Sequence, residues 1–214
     1  MNLNEIQAIF WDFDGVIVDS TEVKTQAFEE MFAPYGSEVS KQVVDYHEQY
    51  GGISRMEKID YSHRHFIGQP LSPEELAEKG VIFSGLVKQK VIDAEMIPGA
   101  ILTLENLHGR APMFVISGTP QDELIDITNS RDLSRFFERV LGSPVLKAPH
   151  VENLLQAFNL DPAFCIFIGD ALTDLNAATV TGTHFIGIEG SLPFPEGTAV
   201  LPDCTGIIDH LQTI

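Results

Sequence analysis

Four short apolar runs, each closing on acidic, hydroxyl or glycine residues, constrain the fold of this chain more than any other feature. They are QAIFWD (7–12), PMFVIS (112–117), FCIFIG (164–169) and THFIGI (183–188). Runs this brief, rich in Ile, Val or Phe and bounded by polar residues, read as strands buried on both faces. Between the later runs lie the helical patterns AILTLENLH, QDELIDITNS, HVENLLQAFNL and DLNAATV, with a weaker strand candidate, RVLGS (139–143). Strand alternating with helix predicts an α/β fold, a doubly wound parallel sheet covered on both faces.

The first run has no such immediate partner. TEVKTQAFEEMFAPY, KQVVDYHEQYG, RMEKIDYSHRHFI and SPEELAEKGVIFSGLVKQKVIDAE all read as helical, and SPEE is a capping signal ahead of an apolar periodicity. A connection of about 75 residues is too long for an ordinary loop. Residues 18–94 are therefore expected to form a helical second domain inserted into a core made of 1–17 and 95–214. Pro98 and Gly99 in EMIPGA mark the turn at re-entry.

In a doubly wound sheet, ligands bind beyond the carboxyl ends of the strands. The first run ends in Asp12 and Asp14, the second in Ser117, Gly118 and Thr119, and the third in Gly169 and Asp170, with Asp174 four residues on. Carboxylates converging in a partly buried site raise one another's pKa values unless a cation neutralises them, and carboxylate oxygens with water suit Mg²⁺. Asp12 is then placed to act as a nucleophile. Asp14, two residues along an extended chain, points the same way and can shuttle a proton. Ser117 and nearby amides offer donors to a phosphoryl group. Lys147, in a loop ahead of a helix, is the best-placed positive charge. Singly, each element has an ordinary alternative: a turn or cap for the aspartates, a helix cap for Ser117, a solvated surface charge for Lys147. Their joint occurrence, in order, at the ends of successive strands argues for a site.

Thirteen Lys and Arg against 31 Asp and Glu give a formal charge of −18, which repels nucleic acid and anionic bilayers. It also repels an anionic small molecule, unless a bound cation and local lysines reverse the field at the site. Cys165 and Cys204 lack metal or disulfide spacing and read as buried or incidental thiols. No run approaches membrane-spanning length, and MNLNEIQAIF lacks the basic start of a signal peptide, so a soluble cytoplasmic protein is expected.

With these residues in place, the sequence resembles the haloacid dehalogenase superfamily over nearly its whole length. DFDGV is similar to the first motif, ISGTP to the second, Lys147 to the third and GDALTD to the fourth; the insert is similar to the small helical cap. The resemblance implies a Rossmann-like core with a mobile cap and an aspartyl-phosphate formed on Asp12. It makes Asp14 the general acid/base, lending its backbone carbonyl to Mg²⁺. Ser117 with Gly118 would bind phosphate, and Lys147 would steady nucleophile and phosphate. Asp170 and Asp174 form the acidic pair, Asp170 being the direct ligand.

Within that superfamily the second aspartate, Asp14, favours phosphate esters over dehalogenation or phosphonate cleavage, whose members lack it. The function implied is a Mg²⁺-dependent phosphatase acting on a small phosphorylated metabolite, a sugar phosphate or a phosphoglycolate-like acid. GGISRMEKI resembles the segment with which β-phosphoglucomutase-like members present an arginine, which makes Arg55, with Lys58, a candidate substrate contact, the alternative being a solvated helix face; Lys24 is a third candidate contact from the insert. Such mutases carry a His where Lys24 stands, and that departure favours the phosphatase. A catalytically silent binding protein is the third reading. His63 and His65 could face the cleft from the cap, the other histidines reading as surface or capping residues. Phe13 should point into the core, and Asp19 reads as a hinge or a helix cap. Oligomeric state is not legible.

Overall fold

The computed structural model describes residues 4–213; residues 1–3 and 214, the outer ends of the expected core, lie outside it. The apolar runs become β1 (Ala8–Trp11), β2 (Met113–Pro120), β3 (Arg139–Ser143), β4 (Cys165–Gly169) and β5 (His184–Ile188). A short β6 (Val200–Leu201), which carries no apolar run of its own, joins them. The sheet order is β3-β2-β1-β4-β5-β6, and every pairing is parallel. The chain thus builds outward from β1 on one side, then returns to build outward on the other. That reversal opens the ligand crevice of such sheets beside β1.

Side-chain alternation along β1 separates two cores. Ile9 and Trp11 face one layer, with Val115, Ile166 and Ile168. Ala8 and Phe10 face the other, with Phe114, Ile116 and Phe167. The first layer is covered by α5 (Ala100–Leu107), α6 (Gln121–Ser130) and α9 (Ile207–Leu211), and the second by α7 (Lys147–Ala157) and α8 (Leu172–Thr181). Phe13 is fully buried in the first layer, as expected.

Between β1 and α5 come α1 (Thr21–Phe32), α2 (Ser37–Gln49), α3 (Arg55–Ser62) and α4 (Pro73–Asp93). They meet through Phe28, Phe32, Val43, Ile59, Phe83 and Val87. Helix α4 opens with the expected capping box: the Ser72 hydroxyl accepts from the Glu75 amide, and the Glu75 carboxylate accepts from the Ser72 amide. The chain enters and leaves this group through adjacent extended segments, joined by an antiparallel bridge between Val18 and Met96. Asp19 lies at that junction, its amide donating to the Glu95 carbonyl, whereas Ser20 directly precedes α1. Asp19 is therefore not the cap of α1. No helix among the described residues is long and apolar enough to cross a membrane.

Candidate active site

Asp12, Asp14, Ser117, Gly118 and Asp170 line one cavity of about 460 Å³, and Lys147 bonds both Asp12 and Asp174. Asp12 follows β1, and its carboxylate is buried, one oxygen accepting from the Phe13 amide at 2.7 Å and the other from Lys147 Nζ at 2.8 Å. The chain then turns sharply. Gly15 adopts φ +79°, and a Cβ there would collide with the Asp170 carboxylate, so only glycine lets the β1 loop pass this close to the β4 loop.

Lys147 is a correction to the sequence reading. It is the first residue of α7 rather than a loop residue, while its burial beside Asp12 agrees with a site role rather than the solvated alternative. Pro149 does not prevent the earlier start, because amides of a first helical turn have no intrahelical partner to lose. Lys147 Nζ also lies 2.6 Å from Asp174 Oδ1. Burial alone would lower its pKa, but the carboxylates of Asp12 and Asp174 outweigh that and hold it well above the usual lysine range.

Asp170 and Asp174 flank the start of α8. The second oxygen of Asp174 accepts from the Ala171 amide, capping the helix. Asp170 makes no side-chain hydrogen bond or ion pair among the described residues. Burial pushes the pKa of both upward, and Asp12 beside them adds to the shift. Oxygens of Asp12, Asp170 and Asp174 come within 4.8 Å of one another. An all-carboxylate set with one member unpartnered and two raised pKa values fits a hard divalent cation.

Asp14 sits across from this cluster. Ser20 Oγ donates to one of its oxygens at 2.6 Å; the other accepts from Thr119 Oγ1 at 2.9 Å and from Ser117 Oγ at 3.3 Å, and lies 2.5 Å from Lys24 Nζ. Burial alone would raise the pKa of Asp14, but the Lys24 charge and the hydrogen bonds from Lys24, Ser20 and Thr119 hold it at about 2. Gly118, on β2, lies so close to the α2–α3 loop that an added Cβ would meet the Gly52 carbonyl oxygen at 2.6 Å.

A family model, haloacid dehalogenase-like hydrolase, matches residues 6–182. The chain belongs to the haloacid dehalogenase-like hydrolases. Among relatives, a phosphoglycolate phosphatase of Photorhabdus laumondii is 26% identical over 99% of this chain and 94% of its own length. A phosphorylated carbohydrates phosphatase of Thermotoga maritima is 25% identical over 92% of this chain and 90% of its own. Among solved structures, a β-phosphoglucomutase of Clostridium difficile superposes with a TM-score of 0.78 at 18% identity, covering 97% of each chain, a likeness of fold.

The far wall of this hydrolase's cavity carries the candidate substrate contacts Arg55 and Lys58. Arg55 and Lys58 line it from α3 and are buried, not on a solvated face. Arg55 donates from both Nη atoms to Glu123 of α6, and Nη1 also donates to Ser84 at 2.8 Å. Lys58 makes no ion pair among the described residues; its Nζ lies 2.7 Å from His47 Nδ1 and 3.2 Å from the His47 carbonyl. Burial, reinforced by Lys24 and Lys147, lowers Lys58 to about 7, and burial with the Lys58 charge lowers His47 to about 2. His47 therefore presents a neutral ring whose Nδ1 accepts.

His47 lines the cavity instead of serving as a surface or capping residue, because α2 packs it against Phe28 with ring centroids 4.7 Å apart. His63 and His65 do not line it: His63 is buried against Phe32 and Tyr35, and the His65 ring packs at a tilt on Tyr61. His150, also expected at the surface, is buried with Nε2 2.9 Å from the Gly142 carbonyl. Thr119 is the residue the motif reading underused. It closes the same strand end as Ser117, and that position was its only signal. Both cysteines are buried and free.

Proposed function

We propose that this hydrolase is a Mg²⁺-dependent phosphatase of small phosphorylated metabolites, a sugar phosphate or a phosphoglycolate-like acid, working through an aspartyl-phosphate on Asp12. The observation that carries the reading is the Asp12 carboxylate, fixed by Lys147 and the Phe13 amide at the end of β1 and facing the cavity. The relatives named as phosphatases support it. Asp12, Asp170 and Asp174, with the Asp14 carbonyl, would hold the cation. Bound there, Mg²⁺ would neutralise the carboxylates and offset charge on the phosphoryl oxygens.

Lys147 fixes the nucleophile, and Ser117 and the Gly118 backbone receive phosphoryl oxygens. Asp14 protonates the leaving oxygen and then activates water. To act as an acid it must first lose Lys24, whose charge keeps it ionised, and take up a proton from solvent. An arriving phosphate dianion is the natural competitor for that ammonium, so Lys24 would pass from Asp14 to substrate as the proton donor is needed. Lys58, with His47 behind it, faces the leaving group.

On this reading residues 18–94 form a cap over the core, 1–17 and 95–214, hinged at the Val18–Met96 bridge. The cap excludes water and selects the substrate. An acidic enzyme with two free thiols suits the cytoplasm. The test is phosphate release from a panel of phosphorylated metabolites, with and without Mg²⁺. Release is expected only with Mg²⁺, and Asp12→Asn is expected to abolish it; equal release by wild type and Asp12→Asn would overturn the nucleophile assignment.

A further inference from the structure

Four cations line or adjoin the cavity, and they differ in what already neutralises them. Lys147 is held by Asp12 and Asp174, and Lys24 by Asp14, all within the proposed catalytic machinery. Lys58 has no carboxylate partner among the described residues. Arg55 is the exception in kind, because its partner, Glu123, comes from outside the cavity lining.

The arrangement around Arg55 is closed. The guanidinium meets the Glu123 carboxylate through both Nη atoms, and Ser84 accepts from Nη1 while donating to the same carboxylate. Its Cζ lies 4.8 Å from the centre of the Phe83 ring. Arg55 and Glu123 are 5% and 7% exposed, so neither can turn to water for compensation. Withdrawing Arg55 to bind a ligand would leave a buried carboxylate unpaired, which is strongly unfavourable.

We propose that Glu123 is a specificity-determining residue: by holding Arg55 it keeps the leaving-group end of the cavity from accepting a second phosphate. The inference rests on the phosphatase reading and narrows it to monoesters whose leaving group carries no further phosphate. A mutase that moves phosphate between two hydroxyls through a phosphoenzyme must hold a bisphosphate intermediate, which brings a second dianion to this wall. Here that dianion would meet Lys58 alone, with the Glu123 charge close behind a neutralised guanidinium. Like charge placed behind a binding wall rejects the wrong ligand as effectively as a missing contact. The same pair spans α3 and α6, so the residue that sets selectivity also ties the inserted helices to the core.

The test is a binding ratio, measured by titration calorimetry with Mg²⁺ in an Asp12→Asn parent, so that turnover does not intervene. The probes are glucose 6-phosphate and glucose 1,6-bisphosphate. The parent is expected to show no preference for the bisphosphate, and Glu123→Gln to shift the ratio toward it by about tenfold or more, as a freed buried-side cation should. Arg55→Met/Glu123→Gln should abolish the gain. The proposal is overturned if the parent already prefers the bisphosphate tenfold, if folded Glu123→Gln shows no gain or no bisphosphate binding, or if the gain survives without Arg55. Should Glu123→Gln fail to fold, Arg55→Met/Glu123→Leu replaces both charges with apolar groups and should leave the parent's ratio in place; a tenfold change would overturn the proposal. Failure of the phosphatase reading would appear separately, in phosphate release.

Discussion

At the scale of single residues, the two carboxylates of the proposed mechanism, Asp12 and Asp14, each pair with a lysine. Asp12 and Lys147 are a fixed pair, since the lysine is clamped from its other side by Asp174. On the proposed mechanism Asp14 and Lys24 are an exchangeable pair; the lysine also donates to Thr119 at 2.9 Å and lines the cavity. Lys58 has no such partner, and it carries a stability consequence with a definite sign. Its folded pKa of about 7 lies below the ordinary 10.5. As pH falls through that interval the unfolded chain takes up a proton that the folded chain does not, so stability declines, and the full penalty persists below about 7. Lys58→Met should therefore melt above wild type at pH 7, with the difference vanishing toward pH 10.5. Calorimetric melts across that range check it; a difference independent of pH would contradict it. Lys147 beside Asp12 was legible through the family resemblance, but the contacts of Lys24 with Thr119 and of Arg55 with Glu123, 95 and 68 residues apart, were not.

At the scale of elements, the contact that closes the site is made by backbone. The α2–α3 loop lays Gly51 and Gly52 against the end of β2 and the start of α8, where Thr173 Oγ1 donates to the Gly51 carbonyl at 3.0 Å. Gly118 opposes Gly52 with no room for a side chain. Gly118→Ala should therefore lift the loop while leaving both cores intact. A displacement of about 1 Å at a reacting centre can cost on the order of a hundredfold. We expect kcat/KM to fall at least about tenfold with little change in Tm. Steady-state kinetics beside a thermal melt separate the two, and an unchanged kcat/KM would mean that the contact does not matter for turnover. The elements themselves were largely legible: five strands and the helices between them follow the apolar periodicity. The exceptions have physical reasons. β6 is two residues long and has no buried alternation to reveal it. α2 begins at Ser37, within a polar stretch that carries no apolar periodicity, and α7 begins at Lys147, ahead of a proline that normally marks a boundary.

At the scale of the whole molecule, the formal charge of −18 opposes the capture of a phosphorylated substrate until the substrate is within reach of the cavity cations. Salt screens the distant charges, with a Debye length of about 10 Å at 0.1 M, and screens the buried pairs much less. At fixed Mg²⁺, kcat/KM for an anionic monoester should rise a few-fold between about 10 and 150 mM monovalent salt, whereas a steep fall would mean that net attraction dominates capture.

By itself the sequence determined the period-two and helical patterning, and therefore the parallel sheet. It also placed Asp12, Asp14, Ser117, Asp170 and Asp174 together at one edge, because strands in a parallel sheet present their carboxyl ends to the same side. It could not determine what opposes that edge. Only the tertiary structure decided that Glu123 neutralises Arg55, that His47 backs Lys58, and that Lys24 reaches Asp14. Those contacts are made between elements distant in the chain, and their energies depend on burial and orientation, which no local pattern of residues encodes.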